Sequence, residues 1–244
     1  MNKNQQCFYC GEKTEIAHNV CDICSYKYPE AAYRTIHYWK SLKPLFQDYE
    51  CTGLSVGAQI TECCIKSLDG TSLFFSRFNP NIEVEKKAEK MTGLNLDNLK
   101  EEPELSHHWS TLFSLINNRV LISWGTSLDE RVLNDAAANF ATPFDSSTLF
   151  LDLEPIYSRI RGEWSKGNGV YARTSLKYAA KLENIAVHNT HNAADDVDIL
   201  MAIFKKLLRV DLPSHLEIKP YKKVPTELIN NQFYALSALK GKCA

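Results

Sequence analysis

Four carboxylates, one histidine and four cysteines have types and spacings that could do chemistry. Asp48 and Glu50, in the stretch "FQDYECTGL", lie at i and i+2 in a segment whose alternation predicts a strand, so both side chains leave one face. Phe46 shares that face, and like charges at the end of a buried strand repel unless a cation lies between them. Taken alone, the pair reads as a solvated acidic strand end. Asp129 carries more information. Ser127 and Glu130 have the spacing of a capping box, which predicts a helix start. From Asp129, the positions Val132, Leu133, Ala136, Ala137 and Phe140 recur at helical spacing, so Asp129 heads the apolar stripe. The helix dipole accounts for an Asp in the first turn, but not for its rotation towards the core.

The segment "HNAADDVDILMAIFKKLL" repeats the pattern. Asp196 is in line with Leu200, Ile203, Phe204 and Leu207, whereas Asp195 lies on a mixed face and Asp198 on a solvent face. Only Asp196 is carried inward, where a lone carboxylate is costly without a metal or partner. His191 falls on the preceding loop, free to reach a water. Four inward carboxylates near element ends, with one histidine, suit two divalent ions clamping a phosphodiester while the histidine deprotonates the attacking water.

The cysteines Cys7, Cys10, Cys21 and Cys24 read C-x2-C-x10-C-x2-C, two paired knuckles able to offer four thiolates to a tetrahedral Zn²⁺. A pair of disulfides is the alternative, disfavoured without a secretory signal, and redox C-x-x-C motifs seldom come in tandem. His18 is a bystander in a site that four cysteines already close. Cys51, Cys63 and Cys64 are expected as small buried or half-buried side chains.

With 244 residues, 44% hydrophobic and 11% aromatic, the chain can bury a full core. No apolar run approaches the ~20 residues needed to span a bilayer, and the N-terminal "MNKNQQCFYC" lacks a secretory apolar core. A cytoplasmic protein with no membrane partner is the expectation. The net charge of -1 argues against a non-specific nucleic-acid coater. A mild basic bias near the C-terminus (Lys219, Lys222, Lys223, Lys240, Lys242) reads as a solvated tail.

These groups need elements to position them. The expected organisation is a zinc knuckle at 1–27, a connecting helix at 28–43, a main domain at 44–210 and an extension at 211–244. Pro29 suits the first turn of the connecting helix, and Ala32, Ile36 and Trp39 share one face. Strands are expected in "PLFQDYE", on both sides of Asp69-Gly70, in "RVLISW" and in "TLFLDL". Helices are expected near Ile82–Met91, through "SHHWSTLFSLINN", from Ser127, near Glu154–Arg161, near Ser175–Leu182 and from Asn192 to Leu208. Strands first, then alternating helices and strands, predict an α/β mixed sheet covered by helices.

The blocks "DYECTGL", "SWGTSLDERVL" and "HNAADD", in that order, resemble the three motifs of the DEDDh exonucleases, the DnaQ-like, RNase T-like superfamily. Asp48 and Glu50 match the first block, Asp129 the second, and His191 with Asp196 the third. The resemblance runs from about Pro44 to Leu208 and includes "FNPN" and "TGL" around a helix, "DLEPIYSRI" and "SLKYAAKLENI". It implies an RNase H-like fold with a five-stranded sheet and stepwise removal of nucleoside 5′-monophosphates from a 3′ end. It also implies two Mg²⁺ or Mn²⁺ ions on Asp48, Glu50, Asp129 and Asp196, with His191 as general base. Thr52, Gly53 and Leu54 would line the terminal nucleotide, Leu54 as an apolar wedge against its base.

Two departures from the pattern stand out. Cys51 replaces a common Thr, and "WGTSLD" replaces a His-Asn pair. The Trp-Gly is more similar to the branch that trims RNA ends, including the KapD-like proteins, which tilts the expected substrate towards RNA or short single strands. The zinc knuckle lies outside the resemblance and is a candidate for gripping nucleic acid, binding a protein partner or bracing the domain. The competing reading is a zinc-knuckle nucleic-acid or protein adaptor whose exonuclease domain only binds 3′ ends without cutting them.

Overall fold

The computed structural model describes residues 5–14, 20–21, 24, 30–165, 170–188 and 191–210. His18, Pro29, Cys243 and the extension from 211 lie outside the described residues. The chain divides into two units, one of Trp39–Glu154 and Thr174–Arg209, the other taking its described residues from Met1–Tyr38, Pro155–Arg173 and Val210–Ala244.

In the smaller unit a short antiparallel ladder, β1 (Gln5–Gln6) with β2 (Lys13–Thr14), leads the chain through the first cysteine pair. Cys7, Val20, Cys24 and Ala31 form its small core, with Tyr9 and Cys21 packed against them. Helix α1 (Ala31–Ser41) follows, and Ala32, Ile36 and Trp39 are buried as their spacing predicted.

The larger unit is built on a sheet of β3 (Leu45–Cys51), β4 (Ile60–Ser67), β5 (Ser72–Arg77), β6 (Val120–Ser123) and β7 (Leu149–Asp152), in the order β5-β4-β3-β6-β7. The Asp69-Gly70 turn makes β4 and β5 antiparallel, β4 also runs antiparallel to β3, and β3, β6 and β7 are parallel. The run VLIS of β6 is buried at every position, as an interior parallel strand requires.

Two short helices and two longer ones connect β5, β6 and β7. Helices α2 (Lys86–Thr92), α3 (Leu96–Leu99) and α4 (Leu105–Ile116) join β5 to β6, and α5 (Ser127–Asn139) joins β6 to β7. Trp109 and Leu112 of α4 and Val132, Leu133 and Ala136 of α5 pack with Leu45, Tyr49, Cys63 and Ile65 in one core. After α6 (Leu153–Arg161), the short pair β8 (Trp164–Ser165) and β9 (Val170–Tyr171), and α7 (Leu176–Leu182), helix α8 (Ala193–Leu207) packs on β3 and β4. Phe46 of β3 meets Phe204 of α8 at 5.1 Å between ring centroids. This is the expected α/β mixed five-stranded sheet flanked by helices. Cys51, Cys63 and Cys64 are all buried, as expected. Among the described residues no helix is long and apolar enough to cross a membrane.

Local expectations failed in two places. The helix expected from Ile82 starts at Lys86, because Glu85 is extended (φ −59, ψ 135). The capping box at Ser127 and Glu130 does not form: the N-cap is Thr126, which makes no side-chain cap bond. Its hydroxyl is engaged with Ser123 at 2.8 Å, and the turn before the helix is held from β7 instead. Gly125, at φ +77, supplies the left-handed turn there, and its N–H donates to Asp152 Oδ1 at 2.8 Å. A tertiary carboxylate has replaced the local cap.

Candidate active site

Extended backbone sends Asp48 and Glu50 to the same face of β3 as the fully buried Phe46. Burial raises the Asp48 carboxyl well above its ordinary range, and the charges of Asp129, Glu50, Asp196 and Glu62 raise it further. Glu50 is pushed up to about 8 by burial and then by Asp196, Glu62 and Asp129. Asp129, on the inner side of the first turn of α5, is 5% exposed. Burial raises it to about 8, against a lowering hydrogen bond from Ser123 and with a further rise from Asp152.

On α8 the N-cap is Asn192, whose side chain accepts from the Asp195 N–H, and this sets the rotation that turns Asp196 inward. Asp196 is raised to about 6 by burial, with the His191 N–H and charge pulling the other way. His191 itself is exposed and has a left-handed backbone (φ +63). That conformation costs a non-glycine residue about 1 kcal/mol or more. The His191 N–H donates to Asp196 Oδ2 at 3.1 Å, which ties the strained loop to the first turn of the helix.

Donor atoms of Glu50, His191 and Asp196 lie within 4.8 Å of one another. Asp48 and Asp129 line the same pocket. All five residues singled out in the sequence therefore come together, from β3, α5 and the start of α8. Among the described residues, Asp129 Oδ2 and Asp196 Oδ1 are buried without a hydrogen-bond partner. Orphaned anionic oxygens are expensive unless a cation takes them up. The donor set is hard oxygen with one imidazole, which fits divalent cations.

Gly53 and Leu54, which follow directly, line this pocket, whereas Thr52 between Cys51 and Gly53 does not. Thr52 is buried and stitched to Gln59, its N–H donating to the Gln59 carbonyl at 2.8 Å and its Oγ1 accepting from the Gln59 N–H at 3.0 Å. Leu54 is 64% exposed, and its carbonyl accepts from Arg131 Nη2 at 2.8 Å. Trp124, Leu128 and Met91 add apolar lining.

Three carboxylates that sequence reasoning passed over also shape the site. Asp152 holds the turn ahead of Asp129, as described above. Glu85 leans over Gly53. Glu62, opposite Glu50 in the β3–β4 register, is fully buried: Oε1 accepts from the Ala193 N–H of α8 at 2.8 Å, and Oε2 from Arg77 Nε at 2.7 Å. Glu62 thus fastens the start of the helix that carries Asp196. A charge inside the otherwise apolar-looking strand "ITECCIKS" was the available signal. Glu62→Gln cannot accept from both donors and is expected to destabilise the fold by roughly 3 kcal/mol, measured as a shift in urea midpoint. An unchanged midpoint would remove Glu62 from this bracing role.

In the smaller unit the sulfur atoms of Cys7, Cys10, Cys21 and Cys24 lie within 4.8 Å of one another, with Cys10 and Cys21 at 3.6 Å. Tetrahedral zinc with sulfur at 2.3 Å needs sulfurs roughly 3.8 Å apart. Burial opposes ionisation of Cys7, but hydrogen bonds from the Cys21, Cys10 and Tyr9 amides and the Cys10 thiol outweigh it and bring the thiol down to about 7. Burial raises Cys21 and Cys24. The cluster is compatible with one metal ion that would deprotonate all four.

Solved structures share the fold at low sequence identity. Escherichia coli Exonuclease I in complex with a dT13 oligonucleotide aligns with a TM-score of 0.56 and 15% identity, over 67% of this chain and 40% of that one. Cell-death related nuclease 4 aligns at 0.54 and 12%, over 68% and 64%. Exonuclease X in complex with 5′ overhanging duplex DNA aligns at 0.51 and 16%, over 67% and 90%. The chain thus spans less than half the length of the Exonuclease I it matches. No curated protein matches its sequence. The RNase_T family model, described as exonuclease, matches residues 45–204, the segment that carries Asp48, Glu50, Asp129, His191 and Asp196. With that segment covering most of its length, this chain belongs to the RNase_T exonuclease family.

Proposed function

We propose that the chain is a metal-dependent exonuclease that releases nucleoside 5′-monophosphates from the 3′ end of single-stranded RNA or DNA. The observation that carries this reading is the meeting of four carboxylates from three distant segments in one pocket, two of them with orphaned buried oxygens. Asp48, Glu50, Asp129 and Asp196 would hold two Mg²⁺ or Mn²⁺ ions. Bound there, the ions would neutralise charge at the scissile phosphate and make a water acidic enough to attack near neutral pH.

The remaining roles belong to the chain's own groups. His191, exposed at the rim and close to Glu50 and Asp196, takes the proton of the attacking water on a ring nitrogen. Its backbone tie to Asp196 keeps the imidazole near the carboxylates. Thr52 and Gly53 line the terminal nucleotide, and the exposed Leu54 wedges against its base, with Arg131 fixing the Leu54 carbonyl. Lys87, also on the pocket wall, screens the phosphates of the incoming strand.

Single-stranded RNA and DNA of matched sequence, 5′-labelled and incubated with Mg²⁺ or Mn²⁺, are expected to yield a ladder shortened from the 3′ end. Retention of the oligonucleotide without any ladder would favour an end-binding adaptor. For the cysteine cluster we propose one structural Zn²⁺. Elemental analysis is expected to find about one zinc per chain. Cys7→Ser is expected to lose that zinc and to make the smaller unit protease-sensitive, while zinc retained in full would exclude this assignment.

A further inference from the structure

Glu85 stands at the N-cap of α2, yet its carboxylate makes no bond to that helix. It turns instead across the loop that follows β3. Its backbone N–H donates to the Thr52 carbonyl at 2.7 Å, and its Oε1 accepts from the Ser55 hydroxyl at 2.5 Å. The close approach depends on Gly53, where a Cβ would lie 2.1 Å from Glu85 Cδ. The carboxyl group therefore occupies the space that a side chain at position 53 would fill. Its Oε2 has no hydrogen-bond partner among the described residues, and Glu85, Gly53, Asp48 and Glu50 line one pocket.

The chemistry of this group narrows what it can bind. An ionised carboxylate is an acceptor only and repels phosphate, so its ligand must bring a donor. On the sugar of a 3′-terminal nucleotide the donors are hydroxyls. Deoxyribose has one, while ribose presents a vicinal 2′,3′ pair. A carboxylate fixed on one oxygen and open on the other is suited to such a diol.

We propose that Glu85, oriented by Ser55, accepts from the 2′,3′-diol of a terminal ribonucleotide and makes the pocket selective for ribose ends. This rests on the exonuclease reading above and adds to it the class of sugar that the pocket prefers. A side chain at Gly53 would displace the carboxylate. Lys87, two residues further on, offsets its charge within the same pocket.

The test uses one RNA sequence with three endings: ribose, 2′-deoxyribose or 3′-deoxyribose at the last nucleotide only. The rate of the first cleavage is measured as kcat/KM with Mn²⁺. For the wild type, the ribose end is expected to be removed ~10-fold or more faster than the 2′-deoxy end, the size of one hydrogen bond to a charged acceptor. Glu85→Ala is expected to collapse that ratio to within about 2-fold, and Ser55→Ala to reduce it in part.

Glu85→Ala should unfold at the wild-type temperature, because the residue is exposed. An equal ratio in wild type and Glu85→Ala, or an equal loss on all three ends, overturns the sugar assignment and leaves the exonuclease reading standing. A wild-type protein that removes none of the three ends overturns the exonuclease reading as well.

Discussion

Asp48→Asn is expected to lower 3′-terminal nucleotide release by about 10³-fold or more while leaving the fold intact. Asp48 sits at the centre of the carboxylate group, raised by burial and by the charges of Asp129, Glu50, Asp196 and Glu62. The substitution keeps the shape of the side chain and removes one negative charge from a place where like charges crowd. The same variant should therefore be at least as stable as the wild type without metal, because a repulsion disappears. Loss of activity together with an unchanged or higher unfolding temperature identifies a group that works on the reaction. Loss of both would reduce Asp48 to a structural residue, and full activity would remove it from the site. His191→Ala should behave differently. Its exposed ring contributes little to stability, and turnover should fall by about 10²–10³-fold with metal binding retained.

The second large effect concerns stability and pH. Metal-free protein is expected to lose stability as pH rises from about 4 to about 8, opposite to the usual behaviour of paired carboxylates. Glu50 goes from an ordinary value of 4.5 to about 8, Asp129 from 3.8 to about 8 and Asp196 from 3.8 to about 6, with burial the leading cause in each. A carboxyl raised by folding holds its proton more tightly in the folded state. The stability it contributes is complete below the ordinary value and is lost as pH climbs through the raised one. The window is thus bounded below by the ordinary values and above by the raised values of Glu50 and Asp129. Across it the loss should be on the order of a few kcal/mol.

Divalent cations should reverse the trend, because a bound ion favours the charged carboxylates. The measurement is a series of thermal unfolding curves in EDTA and in excess Mn²⁺, from pH 5 to pH 8. The gain from Mn²⁺ should grow with pH, and Asp129→Asn should flatten both the EDTA slope and the gain. A metal-free protein whose stability rises steadily over this range would contradict the crowding of charges seen in the pocket.

Much of the site was legible before any tertiary contact was known. Helical phase alone puts Asp129 in line with Val132, Leu133 and Ala136, and Asp196 in line with Leu200, Ile203 and Phe204, and these faces are the buried ones. Strand alternation puts Asp48 and Glu50 on the side of Phe46, which is also buried. The same periodicity separates Asp196 from Asp198, whose exposed carboxylate pairs with Lys66 at 2.6 Å. What failed was local: the Ser127 cap is absent because Thr126 bonds Ser123 and Asp152 holds the turn from a neighbouring strand.

The residues that were missed share one property. Glu62 bonds Ala193 across 131 positions of sequence, Asp152 bonds Gly125 across 27, and Glu85 bonds Ser55 across 30. No periodicity within an element reports a partner on another element.

The sequence by itself determined which face of its strand or helix each of the four inward carboxylates takes, since period and burial are coupled within an element. It also determined the four-cysteine cluster, since short loops confine paired thiols. Tertiary structure alone decided that β6 lies parallel beside β3 and that α8 returns across β3 and β4, bringing Asp129 and Asp196 to Asp48 and Glu50. It alone decided, too, that Glu62 would brace that return and that Glu85 would lean over Gly53. Both depend on long-range packing, where a side chain's partner is chosen by the path of the chain between them.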